Sequence, residues 1–357
     1  MDEFLKRFLL SLTSFAVMAA LGYFLVELSR ENFLTNEERD VAASSDALLK
    51  TMNQKWQRDI QQLSQHEAQI ASSVVHSSTG AGFDAVGGHE QLKRDLLLHV
   101  AVPLRHAKTF FSRQSLRPPS GILLEGAPGC GKTMIANALA HEAGVPFIPL
   151  LLSDVESKWN GESQKLLKAV FTLAKKLQPC IIWIDEIDGF LRERSELDSS
   201  HDYGMKCAML QLMDQAKRDR IVVLAATNNS RAVDGAVRRR LPRRYTVGLP
   251  DARGRAQIIK RLARDEGGGK LEWLTEATEG MTGADITEVF HAACAYRNET
   301  LASQLMQQPA GRISMPPLSD AHWEHGLALF GVDVVNAEEE EEVDEVAAEK
   351  AFTEVKA

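Results

Sequence analysis

The stretch Gly126-Ala127-Pro128-Gly129-Cys130-Gly131-Lys132-Thr133 decides how the rest of the chain is read. It fits G-x-x-x-x-G-K-[ST], a loop whose successive backbone N–H groups curl around an anionic phosphate. Glycines permit that curl because they adopt unusual backbone conformations at no steric cost. Lys132 can neutralise the β- and γ-phosphates, and the Thr133 hydroxyl can ligate Mg²⁺. The flanks agree. Ile122-Leu123-Leu124 reads as a buried strand, and Met134 to Ala143 as a helix whose N-terminus favours an anion. The bland alternative, a Gly/Pro turn between a strand and a helix, leaves the full pattern in this context unexplained.

Further along, Val145 to Leu151 reads as a second strand, and Ser163 to Leu177 has helical spacing. Cys180 to Ile184 is an apolar strand ending in Asp185-Glu186. The carboxyl end of such a strand points its acids at a nucleotide. Asp185 is suited to hold the Mg²⁺ hydration shell, and Glu186 to polarise the attacking water. Ile221 to Ala226 is another apolar run, ending in Thr227-Asn228. A strand-end Asn beside the γ-phosphate orients water through its amide, whereas an isolated Asn is more often a turn residue.

The length of 357 residues suits about two domains plus extras. The net charge of −8 is concentrated at the carboxyl end, where residues 338–357 hold nine acids and two lysines. The other 337 residues carry 39 basic and 40 acidic groups, which excludes a global argument for nucleic-acid binding. Cys130, Cys180, Cys207 and Cys294 show no C-x-x-C spacing, so neither a zinc site nor a disulfide framework is indicated. They read as reduced thiols in an ATP-containing compartment. Cys130 is either a redox-sensitive point or a small loop residue whose backbone matters most.

At the amino end, Phe8 to Val26 is a 19-residue run without a charge, flanked by Lys6-Arg7 and by Glu27 and Arg30. At 1.5 Å per residue it spans about 28 Å, the thickness of a bilayer's hydrocarbon core. A transmembrane helix is expected. A cleaved signal peptide is the rival, but the run is long for one. Leu49, Trp56, Leu63 and Ile70 then recur at seven-residue spacing. They suggest helical character from Ser44 to about Val75, either as a spacer or coiled-coil seam or packed on the next domain. His76 to Gly82 reads as a linker.

Phe83 to Gly88, the phosphate loop, the strand ending in Asp185-Glu186, Ala226 to Asn229 and the arginine-rich Arg238 to Arg244 together resemble an AAA+ ATPase. Lys158 to Leu166, Phe171 to Arg194 and Arg238 to Asp251, with the amino-terminal apolar helix, narrow the resemblance. They are similar to the membrane-anchored AAA ATPases of the outer mitochondrial and peroxisomal membranes, a family that extracts mislocalised tail-anchored proteins. The likeness runs from about Phe83 to Phe330. It implies an α/β fold: a P-loop AAA+ parallel-sheet domain, a small C-terminal helical lid domain, and an N-terminal transmembrane helix before them. ATP and Mg²⁺ are the implied cofactors, and a homo-hexamer the implied assembly, with membrane-protein clients and the lipid bilayer as partners and no nucleic acid.

The same resemblance assigns site residues. Val86 and Gly87 would lie beside adenine, Asn228 would be the sensor, and Arg240 and Arg243 match arginine fingers that act on a neighbour's nucleotide. Arg238, Arg239 and Arg244 crowd the same segment, which by itself also reads as a basic patch. Gly283-Ala284-Asp285 matches the segment that closes over the nucleotide. Lys158, Trp159, Asn160 and Gly161 match the loop that grips substrate, with Asn160 where the family usually has a second aromatic. His201, Asp202 and Tyr203 match a second pore loop more weakly.

Helices are expected over Asp251 to Arg264, Leu271 to Thr278, Asp285 to about Gln304 and Asp320 to Leu329. The organisation expected is an anchor over 1–30, a helical spacer and linker over 31–82, a large ATPase domain over 83–249, a small helical domain over 250–331 and an acidic tail over 332–357. Three other functions are disfavoured. A membrane AAA protease needs H-E-x-x-H, and His322 to His325 has the wrong spacing. A microtubule-severing relative would lack the anchor. A non-hydrolysing scaffold would not need Glu186, Asn228 and the arginines together.

Overall fold

The apolar runs of the sequence form one parallel sheet. Its strands are β1 (Gly121–Glu125), β2 (Phe147–Leu150), β3 (Cys180–Ile184), β4 (Ile221–Thr227) and β5 (Arg243–Thr246), in spatial order β2-β3-β4-β1-β5. A parallel sheet is covered on both faces, so its central strands are continuously apolar rather than alternating. Every residue of β3 and β4 is buried accordingly. The Ile, Val and Leu side chains among them each stabilise the fold by about 1.5–3 kcal/mol on burial.

This computed structural model describes most of residues 47–74, and 81–111, 119–150, 162–190, 200–264, 266, 271–307 and 315–332. Contacts divide the chain into two units, Met1–Ser73 and Val74–Ala357. In the first unit residues 49–54 are helical, residues 59–64 are not, and Gln65–Ala71 is helical again. The helical character expected from Ser44 to about Val75 is therefore found in two pieces with a break between them. The cause is local hydrogen bonding. The Asn53 side chain donates to Ile60 O and accepts from Ile60 N, each at 2.9 Å. Ser64 and Glu67 then form a capping box that starts a new helix. Phe8 to Val26 lies outside the described residues, and among those described no helix is long and apolar enough to cross a membrane.

In the second unit α1 (Glu90–Leu96), α2 (Lys132–Ala143), α3 (Glu162–Leu177), α4 (Ser200–Ala216) and the short α5 (Gly235–Arg238) accompany the sheet. Helix α2 buries Ile135, Ala136, Leu139, Ala140 and Ala143. Trp183 of β3 stacks on Phe147 of β2, with ring centroids 6.2 Å apart. After Pro250 the chain becomes helical: α6 (Ala252–Leu262), α7 (Leu271–Ala277), α8 (Gly283–Gln307) and α9 (Asp320–Ala328). These share a core of Ile259, Leu274, Ile286, Val289, Trp323 and Leu327. Gly326 lets α9 approach α8 closely, since a Cβ there would stand 2.6 Å from Val289 O.

Candidate active site

The carboxyl ends of β1, β3 and β4 converge because the strands are parallel and in register. Glu125 pairs with Thr227, and Ile184 with Ala225, so the phosphate loop, Asp185-Glu186 and Asn228 all emerge on one edge. Gly129 and Gly131 take φ of 79° and 92°, and Gly131 caps α2. Its first-turn N–H groups are left facing the loop.

Lys132 is buried, and its Nζ donates to Gly126 O and Ala127 O at 2.8 Å and to Asn228 Oδ1 at 2.7 Å. All three ammonium donors are thus used, as a buried charge requires. Because lysine only donates, Asn228 must turn its oxygen to Lys132. Its Nδ2 then lies 3.5 Å from Glu186 Oε1. Glu186 itself has φ 48°, a left-handed conformation outside glycine. Such strain costs about 1–3 kcal/mol and gathers at functional sites. Thr133 Oγ1 donates to Asp185 Oδ2 at 2.9 Å. Two hard oxygens so close suit Mg²⁺, which takes one or two side chains plus substrate phosphates. Among the described residues no group of three His, Cys, Asp or Glu is arranged to hold a metal by itself.

A cavity of about 500 Å³ opens over these groups. Val86, Gly87, Pro128, Gly129, Cys130, Gly131, Lys132, Thr133, Met134, Asp185, Glu186, Asn228, Gly283 and Ala284 all line it. Gly126 and Ala127 contribute through the carbonyls that hold Lys132. The helical cluster closes on the loop directly. Ala284 N–H donates to Gly129 O at 3.2 Å, and a Cβ on Gly129 would meet Thr282 Oγ1 at 2.7 Å. Burial pushes the Cys130 thiol up, with Lys132 opposing, so its buried sulfur is a protonated packing group at neutral pH.

Arg240 and Arg243 stand apart from this chain's own cavity. Arg240 follows α5 and binds Asp214, whereas Arg243 is exposed on β5. Lys158, Trp159 and Asn160 lie outside the described residues, as does Gly161. Sequence reasoning missed His89, Ile258, Arg261, Leu262 and Thr287 in the wall. Ile258 and Leu262 carried a signal, an apolar i,i+4 pair on α6. His89 carried none. It sits at φ 56°, and burial, then Lys93, holds its ring below the ordinary histidine value.

The fold and the loop define a nucleotide-binding ATPase of the P-loop class. A family model described as ATPase family associated with various cellular activities (AAA) matches residues 122–249. The "Mitochondrial sorting homolog" of Caenorhabditis elegans is 43% identical over 249 residues, covering 68% of this chain and 72% of that one. The "Outer mitochondrial transmembrane helix translocase" of Homo sapiens is 36% identical over 280 residues, covering 76% and 77%. The crystal structure of the FIGL-1 AAA domain in complex with ADP superposes with a TM-score of 0.60 at 28% identity, covering 75% of this chain and 89% of that one. The chain belongs to the AAA ATPases, in the family of these outer mitochondrial translocases. It binds nucleotide and hydrolyses ATP.

Proposed function

We propose that this ATPase is a membrane-anchored protein translocase that pulls mislocalised, tail-anchored membrane proteins out of a bilayer. The observation that carries the reading is the Lys132–Asn228–Glu186 relay, in a chain 36% identical to a protein named a transmembrane helix translocase. In this reading Glu186 accepts the proton of the attacking water, and Asn228 holds that carboxylate at a set distance from Lys132. Thr133 and Asp185 hold Mg²⁺, which when bound neutralises charge on the phosphate oxygens. Val86 and Gly87 flank the base, and Gly283-Ala284 closes the helical cluster as a lid over the nucleotide. The working form is a homo-hexamer in which Arg240 and Arg243 serve the neighbour's site.

Lys158, Trp159 and Asn160 grip the client, Trp159 by area rather than by sequence. The run from Phe8 to Val26 anchors the machine in the mitochondrial outer membrane, the peroxisomal membrane or both, with the ATPase in the cytosol. A client helix of about 20 apolar residues is held by roughly 6–12 kcal/mol, so extraction needs repeated hydrolysis. The test is extraction of an inserted tail-anchored reporter from liposomes by the full chain. ATP-dependent release is expected, and it should vanish in Glu186→Gln while nucleotide still binds. Release by the variant at the parental rate would sink the proposal.

A further inference from the structure

Within the Arg238 to Arg244 cluster, Arg240 is held by several bonds from its own chain. Its Nε donates to Asp214 Oδ2 at 3.0 Å and to Leu210 O at 3.1 Å, and its Nη1 to Ala236 O at 3.0 Å. Its Nη2 also reaches Asp214 Oδ2. Two elements therefore hold one guanidinium, α4 through Asp214 and Leu210 and α5 through Ala236, while Arg240 itself sits in the turn before β5. Three of the five guanidinium N–H groups are used. The other two, one on each Nη, have no partner among the described residues. They remain as donors that a phosphate can accept.

Asp214 suits the role of a brace. Its Oδ1 accepts from Lys217 Nζ at 2.8 Å, leaving Oδ2 to Arg240. Hydrogen bonding from Lys217, then from Arg240, holds its carboxyl below the usual range against the effect of burial, so it is charged at neutral pH. Charged donor and charged acceptor make the stronger class of hydrogen bond. A long arginine side chain loses several rotamers on meeting a ligand, and one already held loses fewer.

We propose that Asp214 is a positioning residue for ATP hydrolysis: it fixes Arg240 before the ring closes, so that the free N–H donors of Arg240 meet the neighbouring subunit's nucleotide in a set orientation. This rests on the reading of Arg240 as a trans-acting arginine. Asp214 itself touches no nucleotide. Its effect is exerted on the next subunit's site, through Arg240 alone.

The experiment compares Asp214→Asn, Arg240→Ala, the double variant and Lys217→Ala, each in the full chain. Readouts are ATP turnover, ADP affinity, trapping of ADP with aluminium fluoride, and the thermal midpoint. Arg240→Ala should lose about 10³-fold in turnover. Asp214→Asn should lose about 10²-fold, the effect of a misplaced group. Both should lose aluminium fluoride trapping while ADP affinity stays within about twofold, because only the transition-state mimic needs the guanidinium. The double variant should be no worse than Arg240→Ala, since the two act as a unit. Lys217→Ala should keep its turnover.

Parental turnover in Asp214→Asn beside an inactive Arg240→Ala would overturn the brace and leave the trans-acting arginine standing. So would losses that add in the double variant, or a fall in thermal midpoint or ADP affinity large enough to explain the lost turnover. Loss in Lys217→Ala equal to that in Asp214→Asn would likewise replace the brace by a diffuse charge effect. Full turnover in Arg240→Ala would remove the reading of Arg240, and the brace with it.

Discussion

Lys132, Asn228 and Glu186 come from three separate elements, and each limits what the next can do. The ammonium fixes the amide, and the amide faces the carboxylate. Lys132, Glu186 and Asn228 were each legible in the sequence, because each stands at a fixed offset from an apolar strand or a glycine loop. The left-handed backbone of Glu186 was not legible, since nothing in a Glu signals positive φ. Gly129 combines both kinds of constraint, with φ 79° and no room for a Cβ beside Thr282 and Ala284. Gly129→Ala should therefore lower ADP affinity by about tenfold or more, the equivalent of about 1.4 kcal/mol. Titration with a fluorescent ADP analogue would measure it. Parental affinity would mean that the loop and α8 separate easily.

Helix α9 carries a charge-sensitive start. Ser319 N–H donates to His322 Nδ1 at 2.9 Å, which needs an unprotonated ring nitrogen. Burial, then Arg297, holds His322 below its ordinary value, and His89 is depressed in the same way. The unfolded chain takes up these protons at the ordinary value, and the folded chain resists them. Stability is therefore full above pH about 6.5 and is lost as pH falls toward the depressed folded values. The thermal midpoint should drop between pH 7 and 5.5, less steeply in His322→Gln. Equal slopes would remove His322 from this effect. Elements also differ in how readable they were. β3 and β4 are buried on both faces and announce themselves as apolar runs. β5 is Arg-Arg-Tyr-Thr at an edge, mostly exposed, and only its pairing with β1 makes it a strand. The seven-residue register from Leu49 to Ile70 is broken in the structure and does not run through as one helix. A seven-residue apolar repeat was present, but the Ser64-x-x-Glu67 box within it marks a helix start.

For the molecule as a whole, the proposal joins a lipid anchor, a ring and a gripping loop. Removing residues 1–30 should release the protein from membranes while ATPase activity persists; continued sedimentation with membranes would place the anchor elsewhere. Trp159→Ala should keep nucleotide affinity and lose client extraction, and unchanged extraction would reject the grip. Periodicity and spacing in the chain were enough to specify the sheet's central strands, the phosphate loop and the two strand-end acids. Each depends on neighbours within a few residues. The closure of α8 on Gly129, the wall formed by His89, Ile258 and Leu262, and the hold of Asp214 on Arg240 belong to the folded form. They join groups distant along the chain, and such pairings exist only once burial of the core has brought those segments together.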